Sequence, residues 1–444
     1  MKIVPLLALS LLVGCKTHEQ RLLTIRDGFY SGDLQQAAAA LDEGIQRDRR
    51  DREVLSLERS IIELADGNPK GCEQTLRQVR DRFDYLEQAS LGETVLATLT
   101  DDTRKSYAGE DYEKVLIRAF LSLSNLLADG QDAAAYALQV ADKQRQIIEA
   151  ADDGQNGAGQ DGANFKLAYK QVALGPYLHG LIREQTHSNY DDAARASAMV
   201  VSWQPEFPYG PADLDRARHG RHSSRGNGVL YVFTLVGRGP YKEETVELPT
   251  TVSLLIADRI LSATNRYSLP PTIAPVKVPK MVVPPNTIAR VGVLVDQRSA
   301  GTTETITDVG RMAVEQHEAV YPRIVANAVA RRVVKKGIVL GAKEALGANQ
   351  GTLTSIALDV AGIAWEGTEA ADTRCWGLLP DKIQVLRLEL PAGSHQIDLE
   401  PLGQYGASGP IERRAVTILD GRNTYLLANF PDGRLVGKIL TNQP

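Results

Sequence analysis

The hydrophobic pattern of this chain changes period more than once, which predicts an α+β protein in several parts. An N-terminal α-helical array comes first, then an α+β domain ending in a small antiparallel β-sandwich-like module. Ala-rich amphipathic stretches joined by Gly turns occupy residues 21–205. Prolines then interrupt the pattern, and from Gly226 β-branched and aromatic residues alternate with polar ones. A second helical stretch, at about 304–370, is inserted into this strand-rich part, residues 227–444.

The helical array is read from its turns. Gly32-Asp33, Gly67-Asn68, Gly109-Glu110-Asp111-Tyr112, Gly130-Gln131 and Asn189-Tyr190-Asp191-Asp192 each precede an amphipathic stretch. The pattern resembles the tetratricopeptide (TPR) family, in which small residues let neighbouring helices pack closely. Spacing between the turns is uneven, so the resemblance implies antiparallel helix pairs in a short superhelix rather than a regular repeat. Leu116, Ala119, Phe120, Leu123, Leu126 and Leu127 fall at helical spacing and read as core. Ala151 to Ala163, rich in Asp and Gly, reads as an exposed loop without the ligand spacing of a calcium loop.

Three prolines between Pro205 and Pro211 stop the array, and residues 206–226 read as a basic linker holding Arg216, Arg218, His219, Arg221, His222 and Arg225. His219-x-x-His222 offers two metal ligands and no nearby third, so it reads as a solvated connection. Val229–Val236 and Lys242–Leu248 flank the turn Gly237-Arg238-Gly239-Pro240 as a hairpin. Ala289–Val295 reads as a strand, and the proline-rich Pro275–Val283 as an edge strand or extended connection. Val309–Lys336 is a helix whose closing Arg331-Arg332-Val333-Val334-Lys335-Lys336 complements the helix dipole. Small residues from Gly337 to Ala364 read as close helix packing, because Lys343, Glu344, Asp359 and Glu366 break any run of membrane length. Ile383–Leu390 and His395–Leu399 read as paired strands around Pro391-Ala392-Gly393-Ser394. Arg414–Leu419 and Thr424–Ala428 follow around Asp420-Gly421.

The first residues carry a different signal. After Met1 and Lys2, an apolar run from Ile3 to Val13 ends in Leu12-Val13-Gly14-Cys15. The run is roughly half of the ~20 residues a membrane-crossing helix needs, so it reads as a signal peptide over residues 1–14. Its last four residues resemble the lipobox of bacterial lipoproteins, in which the cysteine thiol receives a diacylglyceryl group before cleavage. The resemblance implies lipidation of Cys15 as the first mature residue, with 15–20 as the tether. Two or three acyl chains suffice for stable anchoring. Lys16 lacks the acidic side chain that retains enteric lipoproteins in the inner membrane. The expected address is therefore the periplasmic side of a membrane, the outer before the inner.

With 43 % hydrophobic and 24 % charged residues the chain is ordinary globular material, and a net charge of −5 argues against nucleic acid as a partner. Cys72 and Cys375 read as buried free thiols. The sequence has no nucleophile elbow, phosphate loop or zinc motif, which points away from an enzyme and leaves no catalytic residue, metal or cofactor to assign. One enzymatic class leaves almost no sequence signature: a glycan hydrolase with two scattered carboxylates.

Taken together, the lipobox, the helical repeats, Gly228-Val229-Leu230-Tyr231 through Gly239-Pro240-Tyr241-Lys242, Ala371-Asp372-Thr373-Arg374-Cys375-Trp376-Gly377-Leu378-Leu379-Pro380 and Pro391-Ala392-Gly393-Ser394-His395 resemble a family of bacterial lipoproteins of uncharacterised function. That family tends to be encoded near lipoproteins that activate penicillin-binding proteins. The resemblance implies a non-enzymatic scaffold or regulator of a periplasmic partner, with a peptidoglycan synthase as the partner class. Glycan binding, with or without hydrolysis, is the other reading. In an extended segment Asp372, Arg374 and Trp376 share one face, so that Arg374 pairs with Asp372 and stacks on Trp376. The expected role is a structural clamp between the helical insertion and the last sheet, with a partner-binding hot spot as the alternative.

Overall fold

A computed structural model describes residues 18–47, 49–90, 106–158, 171–264, 267–271, 273–345 and 370–442. Cys15 and the rest of residues 1–17 lie outside the described residues, as do 346–369, which hold most of the small-residue stretch. The chain is mixed α+β, with helices first and strands after.

The helices are α1 (His18–Ser31), α2 (Leu34–Arg47), α3 (Arg52–Asp66), α4 (Pro69–Ser90), α5 (Asp111–Ala128), α6 (Ala133–Ala158), α7 (Leu174–Gln185), α8 (Tyr190–Trp203) and α9 (Gly210–Arg218). Neighbours run antiparallel. Glu63 accepts a hydrogen bond from Thr75 at 2.9 Å while Glu53 pairs with Arg82, which fixes α3 against α4. Arg118 bonds Asp84, and Ser124 donates to Cys72, which fixes α4 against α5. The turn glycines read from the sequence stand between helices. Gly67, at φ +92°, ends α3 in the left-handed conformation that its missing Cβ permits. Ala151–Ala158, expected as loop, instead continues α6, since extending a formed helix adds a bond for each residue fixed.

The strands are β1 (Asn227–Arg238), β2 (Tyr241–Glu247), β3 (Val276–Val282), β4 (Arg290–Val295), β5 (Arg298–Thr302), β6 (Glu304–Asp308), β7 (Pro380–Pro391), β8 (Gly393–Gly403), β9 (Gly406–Ala407), β10 (Glu412–Ile418), β11 (Asn423–Phe430) and β12 (Leu440–Thr441). One sheet has the order β12-β11-β1-β7-β6, and a second has β10-β8-β4-β5 with β9 beside β8. Helix α10 (Thr251–Ser262) lies between β2 and β3, and α11 (Val309–Ala345) follows β6.

β1 is the centre of the molecule. Val229, Tyr231, Phe233 and Leu235 face the helical array and share its core, while Leu230, Val232 and Val236 join Val291, Val293, Ile397, Leu399, Val416 and Ile418 of the second sheet. Burial on both faces explains its nearly unbroken apolar run. The result is three layers: helices, the β1 sheet, then the β8 sheet.

Three expectations about pairing are corrected. β2 is not the return strand of a hairpin with β1, because β7 and β11 already occupy both edges of β1; β2 pairs with β3 instead. The turn at Pro391–Ser394 is a corner, and it passes the chain from β7 in one sheet to β8 in the other. Residues 304–308, expected to begin the helical insertion, form β6, where β-branched Thr305, Ile306 and Thr307 suit a strand.

α10, β3 and the middle of α11 have a small core of their own, built on Ala257, Val276, Val278, Val325 and Val329, and β2 joins them by pairing with β3. They form an arm. α11 is rooted in the main core through Val309, Met312 and Ala313, and leaves it as it enters the arm. Because β1 serves two cores, Leu230→Ala is expected to cost about 2–5 kcal/mol and Phe233→Ala about 3–5 kcal/mol in urea unfolding. A negligible cost for either would mean that one face of β1 is not packed as described.

Candidate functional site

A densely charged interior region lies where residues 371–379 approach β7 and meet the helices through Glu58 and Glu113. This segment has no regular secondary structure, yet Cys375, Trp376, Leu378 and Leu379 are buried. Its backbone N–H groups therefore need acceptors from elsewhere. Glu58 of α3 accepts from Gly377 and Leu378, both at 2.8 Å. Glu113 of α5 accepts from the Trp376 N–H at 2.6 Å and from the Tyr107 hydroxyl at 2.6 Å. It also takes the Glu110 N–H at 3.0 Å, which completes a capping box at the start of α5.

Both carboxyls are fully buried. Loss of solvation pushes Glu58 up to about 7, against the opposing pull of Arg26 and the two backbone donors. Glu113 is likewise pushed up to about 7 by burial, with nearby Glu110 adding to the shift. Around them stand Arg26, held over the Tyr241 ring at 4.9 Å, and Lys242, which pairs with Glu110. Burial alone would lower the Lys242 ammonium, but Glu110, Asp372 and Cys375 outweigh it and hold its pKa above the usual value. Burial pushes the Cys375 thiol up to about 12, so it is a protonated, inert thiol. At Gly377 a Cβ would stand 2.0 Å from an Arg26 guanidinium nitrogen, so a larger residue would have to displace the end of the Arg26 side chain.

Arg374 and Asp372 form a two-pronged ion pair, at 2.8 and 2.7 Å, and Asp372 is held below the ordinary carboxylate range because this pairing outweighs its burial. Arg374 does not stack on Trp376. Its guanidinium lies 5.4 Å from the Tyr107 ring, while Trp376 packs on Phe120 at 5.6 Å. The segment is irregular rather than an alternating strand, which separates the two side chains. It fastens the approach to β7 onto α3 and α5, not the α11 insertion onto the last sheet. Trp376 is 0 % and Arg374 5 % exposed, so neither offers a surface to a partner.

The basic stretch 206–226 is not a solvated linker. It contains α9, and Phe207, Ala217 and His222 are buried. His222 is bonded to Asn423 at 2.7 Å and packs edge-on against His187. Arg216 pairs with Asp213 and Glu184, so its charge is spent inside the fold. His219 remains at the surface against the Asp215 carbonyl. Among the described residues no group of three or more His, Cys, Asp or Glu is placed to hold a metal ion. Cys72 and Cys375 are both buried free thiols.

Glu58, Glu113, Arg26 and Lys242 were not singled out by sequence reasoning. A faint signal existed for the acids: Glu58 falls in the apolar row Leu55, Glu58, Ile61, Ile62, and Glu110-x-x-Glu113 has capping-box spacing. No protein-family model, curated protein or solved structure matches this chain.

A pH test follows from the raised carboxyls. A carboxyl whose folded pKa exceeds its unfolded value favours folding below the unfolded value, and loses that advantage as pH rises toward about 7. Glu58→Gln loses an acceptor for one backbone N–H and should cost about 1–3 kcal/mol. That cost should be largest near pH 5 and shrink by pH 8, in urea unfolding at both values. A cost that grows with pH would contradict the raised pKa.

Proposed function

We propose that the chain is a lipid-anchored envelope protein, acylated on Cys15 and facing the periplasm, with the outer membrane as the expected site. On this reading it acts as a non-enzymatic scaffold or regulator of a periplasmic protein, within the lipoprotein family it resembles. The observation that carries the reading is Leu12-Val13-Gly14-Cys15 at the end of a short apolar run. The start of α1 at His18, so soon after Cys15, supports a short tether.

The helix pairs α1/α2, α3/α4, α5/α6 and α7/α8 fit a TPR-like array, a scaffold type that presents extended surfaces to protein partners. The two sheets that share the Leu230–Val293–Ile397 core fit the β-sandwich-like module expected at the end of the chain. Glu58 and Glu113 hold segment 371–379 through its backbone N–H groups, which favours a structural over a chemical use of these two acids. A peptidoglycan synthase is the partner class we favour, from the resemblance alone.

Glycan binding has one observation in its favour. A cleft of about 420 Å³ is lined by Tyr30, Ser408, Asp432 and Arg434, a mixture of ring and polar groups suited to a sugar. Cys15→Ala, expressed in the native host, should move the protein from the membrane fraction to the soluble fraction and remove its crosslinks to cell-wall synthesis proteins. Equal fractionation of the two forms would overturn the anchor. Retention on purified peptidoglycan with no protein crosslink would transfer the function to the cleft.

A further inference from the structure

The exposed large apolar side chains are not scattered evenly over the described residues. Val246 (63 %), Leu248 (70 %), Val252 (51 %) and Leu255 (59 %) fall within one short stretch of the arm. Val246 lies at the end of β2 and Leu248 just beyond it, two residues apart and both exposed. Val252 and Leu255 are three apart on α10, on the side away from buried Ser253, Ala257 and Leu261. Thr250 caps α10 between the two pairs, its side chain accepting from the Ser253 N–H at 3.2 Å. The corner that carries the patch is thereby fixed.

The direction of the arm follows from its contacts. Since neighbouring helices are antiparallel, α1, α3 and α5 begin at the same end of the array. Lys242, at the start of β2, pairs with Glu110, the residue that caps the start of α5. Arg238 lies over Tyr30 near the end of α1, at 4.4 Å, whereas Tyr241 meets Arg26, one turn closer to its beginning. From Arg238 to Tyr241 the chain therefore travels toward the N-terminus of α1, and β2 continues that way.

Chain lengths set the heights. β2 covers roughly 20 Å beyond Tyr241. From Arg26 back to His18, α1 rises about 12 Å. Three further chain steps to Cys15 add at most about 11 Å. The chain available to Cys15 is thus long enough to reach about the level of the end of β2 above the Arg26–Tyr241 contact.

We propose that Val246, Leu248, Val252 and Leu255 dock into the surface of the bilayer that holds the Cys15 acyl chains, giving the protein a second membrane contact. The inference rests on the reading of Cys15 as lipidated. The occupant is lipid because the tether is too short to hold the patch far from the membrane, and the patch lies toward the end of the array from which the tether leaves.

The test uses the acylated full chain in phosphatidylcholine–phosphatidylglycerol vesicles. Leu255→Cys carries an environment-sensitive fluorophore, and Tyr405→Cys, at a 96 % exposed position beside the distal cleft loops, serves as reference. Acylation consumes the Cys15 thiol, and Cys72 and Cys375 are buried, so labelling is confined to the introduced thiol. With lipids brominated high in the acyl chain, the Leu255→Cys probe should lose at least half its emission and the Tyr405→Cys probe almost none. Equal, weak quenching at both positions in protein that floats with the vesicles overturns the docking and leaves the anchor standing. Protein that does not float, and whose mass lacks acyl groups, overturns both. A blue-shifted Leu255→Cys probe that bromine does not quench assigns the patch to a second copy or another protein, and overturns the lipid contact.

Discussion

Three consecutive buried backbone N–H groups, those of Trp376, Gly377 and Leu378, have no strand or helix to receive them, and two buried carboxylates supply the acceptors. Each such donor left unsatisfied would cost about 1–3 kcal/mol. Together they represent a large share of the ~5–15 kcal/mol by which a typical domain is stable. Glutamate suits the task because one carboxylate accepts two donors from a side chain long enough to leave its helix. The cost is visible in the carboxyls themselves, both pushed up to about 7 by loss of water. Through this link α3 and α5 hold the approach to β7, and β7 pairs along almost the whole of β1. The helical array and the sheets are therefore one packed body, with Trp376 in the same core as Leu55 and Phe233.

Much of the local structure was legible in the sequence. Gly32, Gly67, Gly109 and Gly130 were readable as turns because each adopts a positive φ that other residues avoid. The strands at β1, β4, β7, β10 and β11 were readable from alternation or from a continuous β-branched run. Partnership between strands was not. Sequence adjacency suggested β1 with β2 and β7 with β8, yet both pairs are separated. The reason is that β1 is buried on both faces and both edges, a long-range condition with no local signature. The proline-rich β3 was readable as an edge strand or extended connection, and among the described residues it pairs with β2 alone.

The interior site was less legible. The Asp372–Arg374 pair could be read because its members are two residues apart. Glu58 and Glu113 could not, because their partners are 319 and 263 residues away in sequence. An isolated acid on a helix normally reads as solvent-facing, and only the tertiary arrangement reveals that both point inward. The basic stretch before β1 misled in part for a related reason: Arg216 finds Glu184 and Asp213 inside the fold, while Arg218, Arg221 and Arg225 are exposed as expected.

The arm explains why a single lipid tether would be an incomplete attachment. A tether fixes distance but leaves the body free to turn, and four apolar side chains alone are a weak anchor. Full burial of such a side chain is worth about 1.5–3 kcal/mol, and docking at a surface captures only part of it. A free protein loses several kcal/mol of translational and rotational freedom on binding, of order 4–15 kcal/mol. On the proposed reading, acylation at Cys15 would remove most of that cost by holding the patch at high effective concentration beside the bilayer. The patch then has only to select an orientation. Because β2 runs toward the N-terminal end of α1, the proposed orientation would turn the loops Ser408–Pro410 and Pro431–Val436, near Tyr30 at the opposite end of α1, away from the membrane. On that reading the surface free to meet a partner would be the one farthest from the lipid.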